Sequence, residues 1–487
     1  APHPGFPGAT TIDLWGVNIL WGILSTPVID LDSRTMYVVN WTSPDQTVQN
    51  ATHRLSAIDI TSGRVLRSLA IAATSGQSAG PLPAPTLIPS RQKQRSALLF
   101  VRFGNEGGRP ARKVLLVAFS MTSESDASTH GWLIAFDLDD FRQTAAWCTT
   151  PNSSEGGIWQ ASQGPAADEN GDIYVMTSNT DPARKPNPST DFPESFVKLR
   201  YTAPAGPAAA GSLQPVGWFS PFKDVVRKEE FQDEDLGSGG PVVLSDLGIV
   251  LGAGKDGVVY VLDKNHLTSG IGFPQLKQPP KFFTYFPPNA DTIDASRVEN
   301  LDVLYDGKTH HLHGTPAYWK DPMRGPMLFV WGENESLRAW SIDATGRITL
   351  VGKSNEIASA GVGGLGGMPG GFPTISANGN IPNTGIVWAT APIDGDANRY
   401  VVEGILRAYD ATNLDPVKSP DGIPRLKKLW DSKQIPSNTF HHAKFVPPVV
   451  ADGKVFVATY DGRVDVYGLA TPPTSINPVN ADRVPGR

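Results

Sequence analysis

The sequence predicts an all-β protein, a seven-bladed β-propeller of four-stranded antiparallel blades, because two short phrases recur along a chain without long helical patterning. The first phrase alternates apolar residues with period two, as at residues 55–59 and 133–137. Such alternation is typical of a strand with one buried face. Further copies lie at residues 259–263, 337–341, 406–410 and 464–468.

The second phrase places a small residue, usually Pro, before two or three apolar residues, a turn and a β-rich run. Its anchors are Pro27, Ser96, Pro165, Pro241, Pro316, Pro373 and Pro448. We therefore predict a single propeller domain over residues 1–487, with the last blade completed by an N-terminal strand near residues 11–17. The predicted blades cover approximately residues 23–72, 93–149, 157–221, 234–269, 311–354, 367–432 and 441–469.

Composition excludes several classes of protein. The chain has 487 residues and a net charge of −6, without the basic runs of a nucleic-acid-binding protein. No apolar stretch reaches the ~18–20 residues that cross a bilayer, and a single cysteine cannot form an intrachain disulfide. The sequence opens on Ala1 rather than Met, as a processed chain would, so we expect a secreted or periplasmic protein. We also expect a monomer.

Several segments resemble the secreted PQQ-like β-propeller repeat proteins, the quinoprotein-like group. They are the Ala-Ile-Asp-Ile-Thr-Ser-Gly run at 57–63 and the glycine-rich runs at 155–160, 236–240 and 252–257. The resemblance covers nearly the whole chain and implies the propeller fold. As an activity it implies oxidation of an alcohol or sugar with pyrroloquinoline quinone (PQQ) and calcium. PQQ alcohol dehydrogenases also carry two adjacent cysteines over the cofactor, whereas this chain has only Cys148, so that hallmark is absent.

The propeller fold itself predicts where a site would lie. All innermost strands begin around one central funnel, rimmed by the loops that join the second and third strands of each blade, so polar residues at these places converge. We predict His313 as a general base and Lys444 and Arg95 as holders of a carboxylate. The candidate catalytic residues are His313, His442 and Lys444. The candidate ligand-binding residues are Arg95, His130, Trp159, Gln160, Lys255, Glu333 and Asn334.

Two patterns point to metals. Asp394, Asp396 and Asn398 offer oxygen ligands at alternate positions, as calcium loops do, although an exposed Asp-Gly loop has the same pattern. His311 and His313 would point to the same face of a strand and offer two imidazoles. Zinc or copper would need at least one further nitrogen or carboxylate ligand.

Three functions remain open from the sequence, each with a small-molecule or carbohydrate ligand in the funnel. The first is the oxidoreductase implied by the resemblance. The second is a lyase or hydrolase acting on acidic sugars, with Lys444 or Arg95 on the uronate carboxylate and His313 or His442 as base. The third is a non-catalytic binding or scaffold propeller. Exposure of Trp41, Trp132 and Trp331 on the rim would favour carbohydrate binding, and burial between blades would favour a structural role.

Overall fold

The structure is a computed structural model, and nearly all of its regular structure is antiparallel β-sheet. Among the described residues, two single turns of 3-10 helix occur as well, at Leu236–Ser238 and Ser432–Gln434. Within the described part of the chain, no helix has the length and apolarity needed to cross a membrane. The described residues are 21–75, 84–103, 112–122, 128–161, 163–180, 186–187, 189–206, 209–220, 235–267, 281–284, 310–358 and 368–469.

The first two sheets follow one another along the chain, each beginning at its innermost strand. The first contains β1 (Val28–Asp30), β2 (Thr35–Thr42), β3 (Thr52–Asp59) and β4 (Val65–Ala70). In the second, two short strands share the innermost position, because both pair with β7. Its strands are β5 (Gln92–Lys93), β6 (Leu99–Phe103), β7 (Arg112–Met121), β8 (Trp132–Asp137) and β9 (Arg142–Cys148).

The next two sheets are four-stranded and pair in simple sequence order. The third contains β10 (Ala166–Ala167), β11 (Ile173–Met176), β12 (Phe196–Thr202) and β13 (Ser212–Phe219). The fourth contains β14 (Val242–Leu244), β15 (Ile249–Ala253), β16 (Val258–Asp263) and β17 (Lys281–Thr284).

The remaining strands form one eight-stranded and one three-stranded sheet. The eight-stranded sheet starts with β18 (Ala317–Asp321), β19 (Gly325–Val330), β20 (Ser336–Ile342) and β21 (Ile348–Ile357). It continues with β22 (Phe372–Ser376), β23 (Ile386–Pro392), β24 (Gly404–Lys418) and β25 (Pro424–Asp431). The last sheet contains β26 (Val449–Ala451), β27 (Lys454–Ala458) and β28 (Val464–Gly468).

Strand β7 shows how the period-two alternation builds the core. Leu115, Val117 and Phe119 belong to the apolar cluster shared with the first sheet. The intervening residues, such as Leu116, pack against the third sheet instead. Because successive side chains of a strand point to opposite faces, each sheet supplies two interfaces, and similar apolar clusters lie between the later sheets.

The innermost strands lie side by side in a ring. The Leu98 amide donates to the Thr26 carbonyl across the first and second sheets, at 3.1 Å. The Ala97 amide donates to the Gln163 carbonyl of the third, at 2.8 Å. Further round, β10 lies beside β14, β18 beside β22, and β22 beside β26. Thr26 and Val446 line one cavity, which brings the last sheet next to the first. Successive antiparallel sheets around one axis make this an all-β propeller.

The recurring phrases have structural counterparts. The alternating phrase forms the third strand of its sheet: β3, β8, β16, β20, β24 and β28. Its final Asp often caps the following turn, as where Asp59 Oδ1 accepts a hydrogen bond from the Thr61 amide at 2.8 Å. Most Pro anchors directly precede an innermost strand. Ser96 is an exception, since it lies between the two short strands β5 and β6.

The hydrogen-bonded sheets differ in number from the predicted seven blades. The described strands form six sheets, because one parallel pair, Lys353 with Arg425, joins two four-stranded meanders into the eight-stranded sheet. The last sheet has three described strands, and the strand predicted near residues 11–17 lies outside the described residues. The four-stranded antiparallel repeat itself is confirmed.

A buried histidine between the first two sheets predicts acid sensitivity. His53 packs between Trp41 and Phe119, and burial lowers its pKa from 6.5 to about 4. The pKa of His53 is lower in the folded state than in the unfolded state. The stability that His53 contributes is therefore present above pH 6.5 and is lost as the pH falls towards 4. Through His53, the wild type should lose up to roughly 3 kcal/mol of unfolding free energy over this pH range. We expect His53→Phe to abolish this part of the loss.

Urea denaturation of the wild type and the variant at several pH values measures this difference. His266→Phe, at an exposed histidine, is the matched control. Parallel pH profiles for the wild type and His53→Phe would contradict the assignment.

Candidate functional site

Ser238, His313 and Glu333 form a buried hydrogen-bonded group. Ser238 Oγ lies 2.5 Å from His313 Nδ1, and His313 Nε2 lies 2.9 Å from Glu333 Oε1. A carboxylate only accepts hydrogen bonds, so Nε2 carries the proton of the neutral ring and Ser238 donates its hydroxyl to Nδ1. All three residues are at most 2% exposed. The structure thus brings the predicted residues His313 and Glu333 into direct contact.

The propeller architecture explains why His313 and Glu333 are in contact. His313 precedes the innermost strand β18, and Glu333 lies in the loop between the second and third strands, β19 and β20. The Glu333 amide donates to the His311 carbonyl at 3.0 Å, which ties the loop to the segment before β18. The Leu312 amide donates to the Gly254 carbonyl, also at 3.0 Å, which ties that segment to the fourth sheet.

A buried ion pair lies beside this group. Lys255 Nζ is 2.6 Å from Asp235 Oδ2, and the two side chains are 7% and 1% exposed. The Lys255 amide also donates to the Asp235 carbonyl at 3.0 Å. Lys255 therefore lies in the predicted funnel, and its charge is balanced by Asp235, a residue that the sequence analysis did not select.

Burial, helped by nearby cations, keeps the His313 ring neutral. Burial is the main cause that lowers the pKa of His313 well below its ordinary value, and the charges of Lys255, Arg95 and Lys444 lower it further. Four predicted residues are therefore near one another: His313, Lys255, Arg95 and Lys444. Both nitrogens of His313 already have partners, so this geometry favours a positioning role for His313 over the predicted role as a base.

Arg95 is held between two aromatic rings. Its guanidinium carbon lies 4.7 Å from the ring centre of Trp159 and 4.8 Å from that of Phe445. Phe445 has a φ of 66°, a conformation that a bulky residue rarely adopts. The same ring also contacts His313, at 5.4 Å between centroids. Stacking fixes the guanidinium plane, and Arg95 Nε donates a hydrogen bond to the Trp159 carbonyl at 3.4 Å.

Arg95 also lines a cavity of about 250 Å³. Lys93, Arg95 and Lys444 line it, and none of its described lining residues is acidic. Lys444 donates a hydrogen bond to Asn398 Oδ1 and lies 4.8 Å from the ring centre of Phe445. The exposed ring of Tyr400 lies at its edge. The cavity therefore combines positive charge with aromatic surface.

His442 is the histidine that lines this cavity. Its residue is 4% exposed, and its Nε2 has no hydrogen-bond partner among the described residues. Burial lowers its pKa to about 3, so the ring is neutral near pH 7. A neutral imidazole with an unpaired nitrogen can accept or donate a hydrogen bond to a ligand.

The other predicted ligand-binding residues have mixed positions. Gln160 is fully buried, and its Oε1 accepts a hydrogen bond from Ser96 at 2.9 Å, so it connects the second and third sheets. His130 lies in the second sheet, with Nδ1 3.0 Å from the Thr150 carbonyl. Asn334 follows Glu333 with a φ of 54°.

The predicted calcium residues have other neighbours in the structure. Asp394 is exposed, whereas Asp396 is buried, with Oδ2 3.5 Å from Arg399 Nε. Asn398 uses its side-chain oxygen to accept from Lys444. Burial raises the pKa of Asp396, and the nearby charge of Glu333 raises it further. A cation already occupies the oxygen of Asn398, which does not favour calcium at this loop.

Local sequence could not predict where the three candidate rim tryptophans and Phe445 lie. Trp41, Trp132 and Trp331 are at most 3% exposed. Trp132 and Trp331 pack between sheets, and Trp41 packs against Trp21, so the burial of all three favours a structural role over carbohydrate binding. The aromatic residues at the cavity include Tyr400 and Phe445 instead. Neither belongs to a recurring phrase, and their position follows from how the sheets pack.

Comparisons with known proteins leave the family of the chain open. No protein-family model and no curated protein matches it. Among solved structures, it is similar to quinohemoprotein alcohol dehydrogenase ADHIIG from Pseudomonas putida HK5, at 13% identity and a TM-score of 0.38, over 90% of this chain and 69% of that one. The Cps50 (Swd1) β-propeller domain of Myceliophteria thermophila has 11% identity and a TM-score of 0.39, over 93% of this chain and 99% of that one. A chain of the mitotic checkpoint complex has 12% identity and a TM-score of 0.41, over 97% of this chain and 93% of that one. Such distant likenesses assign no function, so the chemistry must come from the residues of the site.

Proposed function

We propose that the protein binds an acidic saccharide, or a similar small carboxylate, in the cavity lined by Lys93, Arg95 and Lys444. The observation that carries the proposal is the combination of three cationic side chains with no acidic side chain among the described lining residues. An Arg fork binds a carboxylate through two hydrogen bonds, and a Lys ammonium acts as a point charge. The exposed Tyr400 ring offers an apolar face against which a sugar ring packs.

Isothermal titration calorimetry with oligogalacturonate and a neutral galactose oligomer of equal length tests this proposal. We expect the acidic ligand to bind at least about 10-fold more tightly, because hydrogen bonds to a charged group contribute about 1.5–3 kcal/mol each. Raising the ionic strength should weaken this binding. Equal affinities for the two ligands, or no binding of either, would refute the proposal.

The PQQ-dependent oxidoreductase is less well supported by the residues present. The cavity cations suit the carboxylates of PQQ, but calcium prefers oxygen ligands, and the described lining side chains offer no carboxylate. The predicted calcium loop is engaged by Arg399 and Lys444 instead. A separate melting experiment distinguishes the two, because a rise in melting temperature that requires PQQ and calcium together would favour the oxidoreductase over our proposal.

A lyase acting on acidic sugars is the second candidate, and His442 favours it. His442 lines the same cavity as Lys444 and Arg95, and its buried Nε2 has no hydrogen-bond partner among the described residues. A bound uronate carboxylate would raise the low pKa of His442 by charge attraction, which makes the ring a better proton acceptor. Formation of an unsaturated uronate, followed by ultraviolet absorbance, would establish lyase activity. Binding without product would leave a non-catalytic binding protein.

We also propose that the chain is a single seven-bladed, quinoprotein-like propeller that acts as a secreted or periplasmic monomer. Support for the blade number comes from the eight-stranded sheet, whose two four-stranded halves are linked by a single residue pair and count naturally as two blades. Strand pairing within each half is antiparallel throughout.

A further inference from the structure

Three potential metal ligands meet in the funnel beside the anion cavity. The two imidazoles of His311 and His313 and the carboxylate of Glu333 each offer one ligand atom, and these three atoms lie within 4.8 Å of one another. His311 Nδ1 lies 3.7 Å from Glu333 Oε2, and His313 Nε2 lies 2.9 Å from Glu333 Oε1. Among the described residues, this is the only group of three such side chains this close together.

These distances suit a bridging ion better than a hydrogen bond between His311 and Glu333. His311 Nδ1 is buried and has no hydrogen-bond partner among the described residues. Tetrahedral zinc has ligands at about 2.0–2.2 Å, which places pairs of ligand atoms about 3.3–3.5 Å apart. Two of the observed separations, 2.9 and 3.7 Å, lie on either side of that value. Small side-chain movements would therefore complete the geometry.

The surroundings supply the support that a metal-bound imidazole needs. A ligating histidine usually donates its other ring N–H to a neighbouring acceptor, which fixes the ring. When His313 Nε2 binds a metal, the ring proton moves from Nε2 to Nδ1, and Ser238 Oγ, 2.5 Å from Nδ1, accepts the hydrogen bond that it donates in the metal-free protein. The charge of Lys255, which would repel a cation, is balanced by Asp235 at 2.6 Å.

We propose that His311, His313 and Glu333 bind one divalent transition-metal ion of the zinc class. Two imidazoles and one carboxylate form a ligand set found at catalytic zinc sites, where a fourth position holds water or substrate. The side chain of His311 is 19% exposed, whereas those of His313 and Glu333 are 1% exposed, so the open position lies on the His311 side. The metal proposal does not depend on which ligand the cavity binds.

The test uses the full chain, purified without a polyhistidine tag, stripped with a chelator and titrated with ZnCl₂ by calorimetry. We expect one ion per chain, a higher melting temperature with zinc, and visible absorption bands when cobalt(II) replaces zinc. His311→Ala and Glu333→Gln should each weaken binding by at least about 100-fold, and Ser238→Ala by about 10- to 100-fold. The matched control, His266→Ala, replaces a histidine paired with Asp263 and should leave affinity unchanged.

Circular dichroism of each metal-free variant checks that it is folded. Glu333→Gln preserves the shape of the side chain, so it remains informative if His311→Ala does not fold. The proposal is overturned if the wild type binds no zinc with one-to-one stoichiometry, or if His311→Ala and His266→Ala bind zinc equally. Calorimetry with uronate on the metal-free protein tests the proposed function by itself. Failure to bind zinc and failure to bind uronate are therefore separate results.

Discussion

Replacing Arg95 by methionine is expected to weaken the binding of an acidic saccharide by about 10- to 100-fold, since the loss of hydrogen bonds to a charged group costs about 1.5–3 kcal/mol. Methionine places an apolar side chain where the guanidinium lies near the Trp159 and Phe445 rings. Affinity should therefore fall through the missing charge and hydrogen bonds rather than through a collapsed cavity. Lys444→Met should have a smaller effect, because an ammonium binds a carboxylate as a point charge without the two-pronged geometry.

A surface arginine provides the matched control. Arg67 lies over the Phe141 ring, at 5.9 Å, and is exposed outside the cavity. Arg67→Met should leave uronate affinity unchanged. The double variant Arg95→Met/Lys444→Met measures how far the two cations act on the same ligand group, because neighbouring residues are not additive when they share a partner. If Arg95→Met and Arg67→Met bind uronate equally well, the ligand binds elsewhere.

Lys255→Met is expected to lower the free energy of unfolding by about 3–5 kcal/mol, the usual cost of leaving one charge of a buried pair without its partner. The carboxylate of Asp235 is 1% exposed, and Lys255 Nζ is 2.6 Å from it. Asp235 Oδ1 has no hydrogen-bond partner among the described residues, so little else compensates the charge. Urea denaturation at neutral pH measures the change.

An exposed ion pair of the same chemistry isolates the effect of burial. Lys320 Nζ lies 3.2 Å from Asp246, with side chains 66% and 41% exposed. Lys320→Met should cost less than about 1 kcal/mol, since exposed pairs contribute little. The double variant Lys255→Met/Asp235→Asn should recover much of the lost stability, because it removes the unpaired charge. Equal costs for Lys255→Met and Lys320→Met would contradict the buried-pair explanation.

Part of the site follows from the propeller architecture without coordinates. Residues before an innermost strand and residues in the loop between the second and third strands must converge, and His313 and Glu333 meet in this way. Sequence reasoning also placed Arg95, Lys255 and Lys444 near His313, and the charges of all three act on its pKa. It could not show that both nitrogens of His313 are occupied, because Ser238 and Glu333 come from separate sheets.

The strands were predictable because their physical origin is local. The alternation of apolar residues can be recognised within each five-residue copy of the phrase. Where the copy ends in Asp, that residue caps the turn that follows, as Asp59 does with Thr61. The third strand of the third sheet, β12 (Phe196–Thr202), was not recognised from the sequence. The sheet count likewise depends on one long-range pair, Lys353 with Arg425, that no local pattern records.

Which side chains touch across the funnel is a long-range property, set by the packing of sheets that are distant in sequence. Trp132 could have lain on the rim or in the core, and only its packing between two sheets places it in the core. The left-handed backbone of Phe445 is held by tertiary contacts with Arg95 and His313, because isolated bulky residues avoid that conformation. Local periodicity thus specifies the strands and the repeat, whereas the charge pattern of the cavity and the grouping of His311, His313 and Glu333 arise when the ring of sheets closes.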